Sequence, residues 1–226
     1  MNTLPMVVAV LTWALGAGHA AVLVQTADAD TYVRDGFAAD QNFGSETVLK
    51  AKARTAEYHR RTLIRFDLSG AAISFDEAVF SITQTATHAN QQIRVFGLAD
   101  GLDGWDENTL TFNSATSLGL LDESAATDLG TIDFSFGNNG ERLSLSNLAL
   151  TSFLQDGIAG DGLVTFLITS TQTSNFENAV FASRESSLLG PELSFTSADE
   201  VPVPAAAFLF APWVLLMARH RMFLYG

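Results

Sequence analysis

Apolar and polar residues alternate over short runs along most of this chain, the period of two expected of strands that bury one face. Val79-Phe80-Ser81-Ile82-Thr83 and Ile93-Arg94-Val95-Phe96 are representative. The clearest runs predict strands over 62–66, 78–85, 92–98, 109–112, 130–136, 163–168 and 179–182, separated by Gly, Asp, Asn and Ser. One segment keeps a helical period instead: Leu150, Phe153, Leu154 and Ile158 share a face, Ser146 is the expected N-cap, and Gly157 and Gly160 mark the end. No self-similarity with a period of about 20 to 50 residues is present, which argues against a solenoid or propeller. The pattern predicts an all-β fold, an antiparallel, jelly-roll-like β-sandwich with one short helix.

Both ends depart from this pattern. Leu4 to Leu15 is apolar and leads to Gly18-His19-Ala20, where small residues fit signal peptidase. A signal peptide over 1–20, cut after Ala20, is expected. At the other end Val201-Pro202-Val203-Pro204 precedes an apolar run from Ala205 to Met217 and then Arg219-His220-Arg221. This tail resembles the PEP-CTERM sorting signal, which implies export, transient membrane anchoring and handling by an exosortase-type protease. The apolar run is shorter than the roughly 20 residues of a comfortable membrane span, and its flanking arginines fit a cytoplasmic anchor. The expected division is a signal peptide over 1–20, one domain over 21–196, and a linker, apolar segment and basic tail over 197–226.

Composition narrows what that domain can do. All 25 acidic residues but only ten of the 12 Lys and Arg lie in the exported part, a net of −15. Such a surface argues against nucleic acid as a partner. Cysteine is absent, which excludes disulfides, thiolate catalysis and thiolate metal sites. Phe dominates the aromatics, 17 in the chain against three Trp and three Tyr, and predicts an interior without polar ring atoms to satisfy.

Against the acidic background, Lys50, Lys52, Arg54, Arg60, Arg61 and Arg65 gather six cations within 16 residues. Lys50, Lys52 and Arg54 share strand parity and would project from one face. Bidentate Arg and point-charge Lys are suited to carboxylates, although the same cations could neutralise the domain's own acids or blunt an edge strand. Among exposed-ring candidates, Tyr32, Tyr58 and Trp105, Tyr58 lies beside the basic run, so the site set is Lys50, Lys52, Arg54, Tyr58, Arg60 and Arg61. Oxygen ligands for a structural calcium are plentiful at Asp28, Asp30, Asp35 and Asp40 and from Asp100 to Glu107, without the spacing of an EF-hand. No Gly-x-Ser-x-Gly, His-Glu-x-x-His or phosphate-cradling loop occurs, so catalysis is not expected.

Four segments, in order, carry a resemblance: Ala29-Asp30-Thr31-Tyr32-Val33-Arg34-Asp35-Gly36 with Asn42-Phe43-Gly44-Ser45; Arg61-Thr62-Leu63-Ile64-Arg65-Phe66-Asp67-Leu68-Ser69; Trp105-Asp106-Glu107-Asn108-Thr109-Leu110-Thr111-Phe112-Asn113; and Phe181-Ala182-Ser183-Arg184-Glu185. They resemble the DNRLRE-type β-sandwich, classed among carbohydrate-binding modules as family 96. The resemblance implies recognition of extracellular polysaccharide, often an acidic one, with catalysis left to other domains. The expectation is therefore an exported, non-catalytic protein that binds acidic glycan at the cell surface or in the matrix. A structural matrix or biofilm protein without a glycan site is the alternative, and a polysaccharide lyase using Tyr58 and His59 the weaker one. Trp105 and Phe112 are expected to pack between the sheets.

Overall fold

The computed structural model describes residues 22–53, 57–69, 74–87, 89–171 and 178–196. The segments expected to be a signal peptide and a sorting tail, and Arg54 of the basic run, lie outside them. Eleven strands are present among the described residues: β1 (Val22–Thr26), β2 (Ala29–Arg34), β3 (Val48–Ala51), β4 (Arg60–Asp67), β5 (Glu77–Ala86), β6 (Gln91–Gly97), β7 (Thr127–Phe134), β8 (Arg142–Leu145), β9 (Leu163–Ser170), β10 (Ala179–Ala182) and β11 (Glu192–Thr196). Two helices interrupt them, α1 (Phe112–Ser117) and α2 (Leu148–Ala159). The strands form two antiparallel sheets, one ordered β1-β11-β5-β10-β3 with β8 also on β5, the other β2-β4-β9-β6-β7. This is the expected β-sandwich.

Period-2 alternation decides which side chains fill the interior. Ile64 and Phe66 of β4, Phe166 and Ile168 of β9 and Phe80 and Ile82 of β5 are fully buried in the main core. The rings of Phe66, Phe80 and Phe166 lie 4.9 to 6.2 Å apart by centroid, within the range of favourable aromatic pairing. Gly97 lets this core close over α2, because a Cβ there would come within 2.4 Å of the Phe153 ring.

The second sheet is buried on both faces over β2, β4, β9 and the end of β6, while the outer side of β7 stays exposed. Ala29 and Val33 of β2, Leu63 of β4, Phe96 of β6 and Leu167 of β9 pack away from the main core against Trp105, Leu110, Ala115, Leu120 and Leu121. Trp105 and Phe112 thus pack outside the sandwich rather than between the sheets, because the segment after β6 lies over that outer face. The run 109–112 is correspondingly no strand. Thr111 caps α1 instead, its side chain accepting from Ser114 N while Ser114 Oγ accepts from Thr111 N, a reciprocal cap that outweighs the β-propensity of Thr-Leu-Thr-Phe. The expected helix is capped one residue later than Ser146, by Asn147, whose Oδ1 accepts from Leu150 N at 2.9 Å. Ser146 Oγ is engaged by Glu77 and the Ala78 carbonyl.

Three of the four resembling segments meet at one buried polar node. Asp30 is 1% exposed, its Oδ2 accepts from Arg184 N at 2.8 Å, and its own N donates to Glu107 Oε2 at 3.0 Å. Arg184 Nη1 reaches Glu107 Oε1 at 2.9 Å, and Asn42 Nδ2 donates to the carbonyls of Glu107 and Leu110. Burial, helped by the nearby Glu185 and Glu107 charges and opposed by the Arg184 backbone bond, pushes the Asp30 carboxyl up to about 7. Between the ordinary carboxylate range and that value the folded chain holds a proton that the unfolded chain releases. Stability therefore falls as pH rises through this window and levels off above it. Asp30→Asn should remove that fall while keeping an acceptor for Arg184 N. Urea-unfolding midpoints between about pH 5 and pH 8 test it: the variant's profile should be flatter than the parent's, with the largest gain above pH 7.

Candidate functional site

The ends of several strands bring the sequence's basic run to one rim of the sandwich, and alternation divides it. Arg60 opens β4 directly opposite Arg34, the last residue of β2. Lys52, just beyond β3, bridges to Arg60 by two backbone bonds, 2.9 and 3.0 Å. Arg60 Nη1 donates to Asn178 Oδ1 at 2.8 Å. Lys50 Nζ donates to the Tyr32 hydroxyl at 3.2 Å and lies 4.8 Å from the centroid of that ring. Lys52 is itself buried, at 6% exposure. Arg61 and Arg65 have the opposite parity and turn to the outer face, where Arg61 pairs with Glu123 at 3.1 Å and Arg65 with Asp28 at 2.6 Å. The structure thus brings Lys50, Lys52, Tyr58 and Arg60 together and sends Arg61 elsewhere.

Two residues missed from the sequence complete the group. The Arg34 guanidinium is 4.3 Å from the ring of Phe37, which is 74% exposed, and 5.8 Å from that of Tyr58, both within cation–π range. Arg34 Nε is buried with no hydrogen-bond partner among the described residues. Arg34 stands 16 positions before Lys50, and only the pairing of β2 with β4 reveals it. The local backbone is built for this approach: Gly36 has φ +67°, and a Cβ on it would sit 2.7 Å from Glu57 Cα, while Glu57 itself holds φ 86° and donates its N to Asp35 Oδ2. That close crossing sets Phe37 and Tyr58 around Arg34.

The electrostatics of the rim are unfavourable in the free protein. Burial, and then the charge of Arg34, lower the Arg60 pKa, with Tyr32 and Asp35 opposing. Like charges directly opposite across two strands are destabilising. Such an arrangement can receive an anion, since an arginine offers several donors in a planar fork.

Carboxylates gather elsewhere. Asp28, Asp30, Asp35 and Asp40 turn to Arg65, Arg184, Glu57 and Asn113 respectively. Asp100 and Asp103 instead meet Asp161 across the fold, each offering an oxygen within 4.8 Å of the others. Three hard oxygen donors at that separation could hold a divalent cation. Burial, then the charges of Asp161 and Asp100, raise the Asp103 pKa, so the folded state disfavours the ionised form and loses stability as pH rises through that titration. In chelator at neutral pH, Asp103→Asn should raise the melting midpoint, and the difference should shrink at acid pH, where the parent's Asp103 is protonated.

No curated protein matches this chain. The model of carbohydrate-binding module family 96 matches residues 22–197, which takes in both sheets, the polar node and the basic rim, so the chain belongs to that family and its role is the binding of carbohydrate.

Proposed function

We propose that residues 22–196 form a non-catalytic module for acidic polysaccharide, and that its carboxylates are met at the rim by Arg34, Lys50 and Arg60 beside Phe37 and Tyr58. The observation that carries this reading is the opposition of Arg34 and Arg60 across β2 and β4. Two guanidinium groups are kept adjacent there, one with a buried Nε that has no partner among the described residues. A bound carboxylate relieves that repulsion and supplies the missing acceptor. The exposed Phe37 ring adds an apolar face of the kind that packs on the C–H surface of a sugar.

On this reading the chain is exported through its N-terminal 20 residues and delivered to the cell surface or matrix by the PEP-CTERM-like tail, with transient membrane anchoring and an exosortase-type protease as partner. A structural calcium at Asp100, Asp103 and Asp161 remains a separate proposal, tested by melting in calcium against magnesium and chelator. The matrix-scaffold alternative draws support from the cations already tied down, Arg61 on Glu123 and Arg65 on Asp28.

Binding distinguishes the two readings. The domain should retain polygalacturonate over dextran in affinity gels, and retention should fall as salt rises, because charges are screened over about 8 Å at physiological ionic strength. Arg60→Ala should weaken it by about tenfold or more, the loss expected for a charge-assisted hydrogen bond. Arg61→Ala, on the outer face, should change it little. Retention of neither polymer by the parent would favour the scaffold. Mass spectrometry of the exported protein should find its N-terminus near Ala21 and its C-terminus processed near Val201-Pro202-Val203-Pro204; a secreted species running from Met1 to Gly226 would defeat the sorting reading.

A further inference from the structure

Lys50 differs from the cations that face acids. Arg61, Arg65, Arg94, Arg142 and Arg184 each pair with a carboxylate, whereas Lys50 has no acid partner among the described residues and rests on a phenol instead. Its Nζ donates to the Tyr32 hydroxyl at 3.2 Å and lies 4.8 Å from the centroid of the same ring. Tyr32 is 4% exposed, and its ring stacks on that of Phe43, with centroids 4.5 Å and planes 20° apart. The lysine backbone is tied to the same place. Thr62 stands opposite Tyr32 across β2 and β4, is fully buried, and donates its hydroxyl to the Lys50 carbonyl at 3.0 Å. Tyr32 and Arg34 are two positions apart on β2 and so share a side. Tyr32 is also one of the groups that favour the charged form of Arg60.

A lysine on a surface keeps many rotamers, and ordering such a side chain opposes the binding of any ligand that needs it. Here a buried, stacked ring does that ordering in the free protein. The tether is neutral, so the ammonium keeps its full charge, which a carboxylate in the place of the phenol would cancel. An ammonium has three donors, and one spent on Tyr32 leaves two for an incoming oxygen. Tyr32 is too deeply buried to meet a polysaccharide itself, so its effect on binding passes through Lys50.

We propose that Tyr32 is a positioning residue of the rim, whose hydroxyl, held by the Phe43 stack, fixes the Lys50 ammonium for a uronate carboxylate bound at Arg34 and Arg60. The role rests on the acidic-glycan reading above, and two readouts keep their failures apart. Without any glycan, nitrogen NMR of the lysine ammonium groups, with the Lys50 signal assigned by its loss in Lys50→Met, should find that ammonium ordered in the parent and mobile in Tyr32→Phe. In affinity gels Tyr32→Phe, which keeps the ring and its stack, should weaken polygalacturonate retention about three- to tenfold, the net worth of one hydrogen bond. In the Lys50→Met background the same change should have no effect. Phe43→Leu, which frees the ring but keeps the hydroxyl, should act in the same direction and also only while Lys50 is present; it decides the matter if Tyr32→Phe melts lower than the parent. A Lys50 ammonium equally ordered without the hydroxyl, or a loss of retention as large without Lys50 as with it, overturns the positioning role and leaves the acidic reading standing. A parent that retains no polygalacturonate overturns the acidic reading, and with it the role of Tyr32 in binding, even where NMR finds the tether intact.

Discussion

Arg65 joins three segments that would otherwise meet only through apolar contact. From β4 its guanidinium donates to the carbonyls of Asp103 and Trp105 at 2.8 and 2.7 Å and to Asp28 Oδ2 at 2.9 and 2.6 Å, and it lies 5.4 Å from the Trp105 ring. These bonds fix the segment after β6 over the outer face of the second sheet. Without that cover Leu63, Phe96 and Leu167 would be open to water. Since full burial of such a side chain contributes about 1.5–3 kcal/mol, the outer layer is as much a part of the fold's stability as the space between the sheets.

The same layer sets the limits of the binding surface. One face of the second sheet meets the first sheet, and Trp105 and its neighbours cover the other over β2, β4, β9 and the end of β6, leaving Arg94, Thr131 and Asp133 exposed on β6 and β7. Open as well is the rim where β2 ends and β4 begins, at Arg34 and Arg60. There the constraint that organises the interior, alternation along β4, also sorts the cations: Arg60 toward Arg34 and Asn178, Arg61 and Arg65 toward acids on the outer face.

The polar node at Asp30 shows the cost of bringing distant segments together. Asp30, Glu107 and Arg184 come from widely separated parts of the chain, and their mutual bonds leave one buried Asp30 oxygen without a partner among the described residues. Burial of a carboxylate is unfavourable unless it is fully bonded, and the raised Asp30 pKa is the direct expression of that deficit. In the sequence these residues are turn and strand-end positions with no mark of mutual contact.

Alternation and turn residues in the sequence determined the all-β class, the strands around Phe66, Phe80, Phe96 and Phe166, and the helix at 148–159, because side-chain period and local propensity are properties of neighbouring residues. The resembling segments pointed to the family whose model matches residues 22–197. Lys50, Lys52, Tyr58 and Arg60 were legible as a group because they are close along the chain. Arg34, Phe37, Asn178 and the meeting of Asp161 with Asp100 and Asp103 were not, nor was the outward packing of Trp105. Each depends on which strand lies beside which and on which face a loop covers, and those are settled by burial of the whole apolar surface at once, a condition that no local stretch of sequence carries.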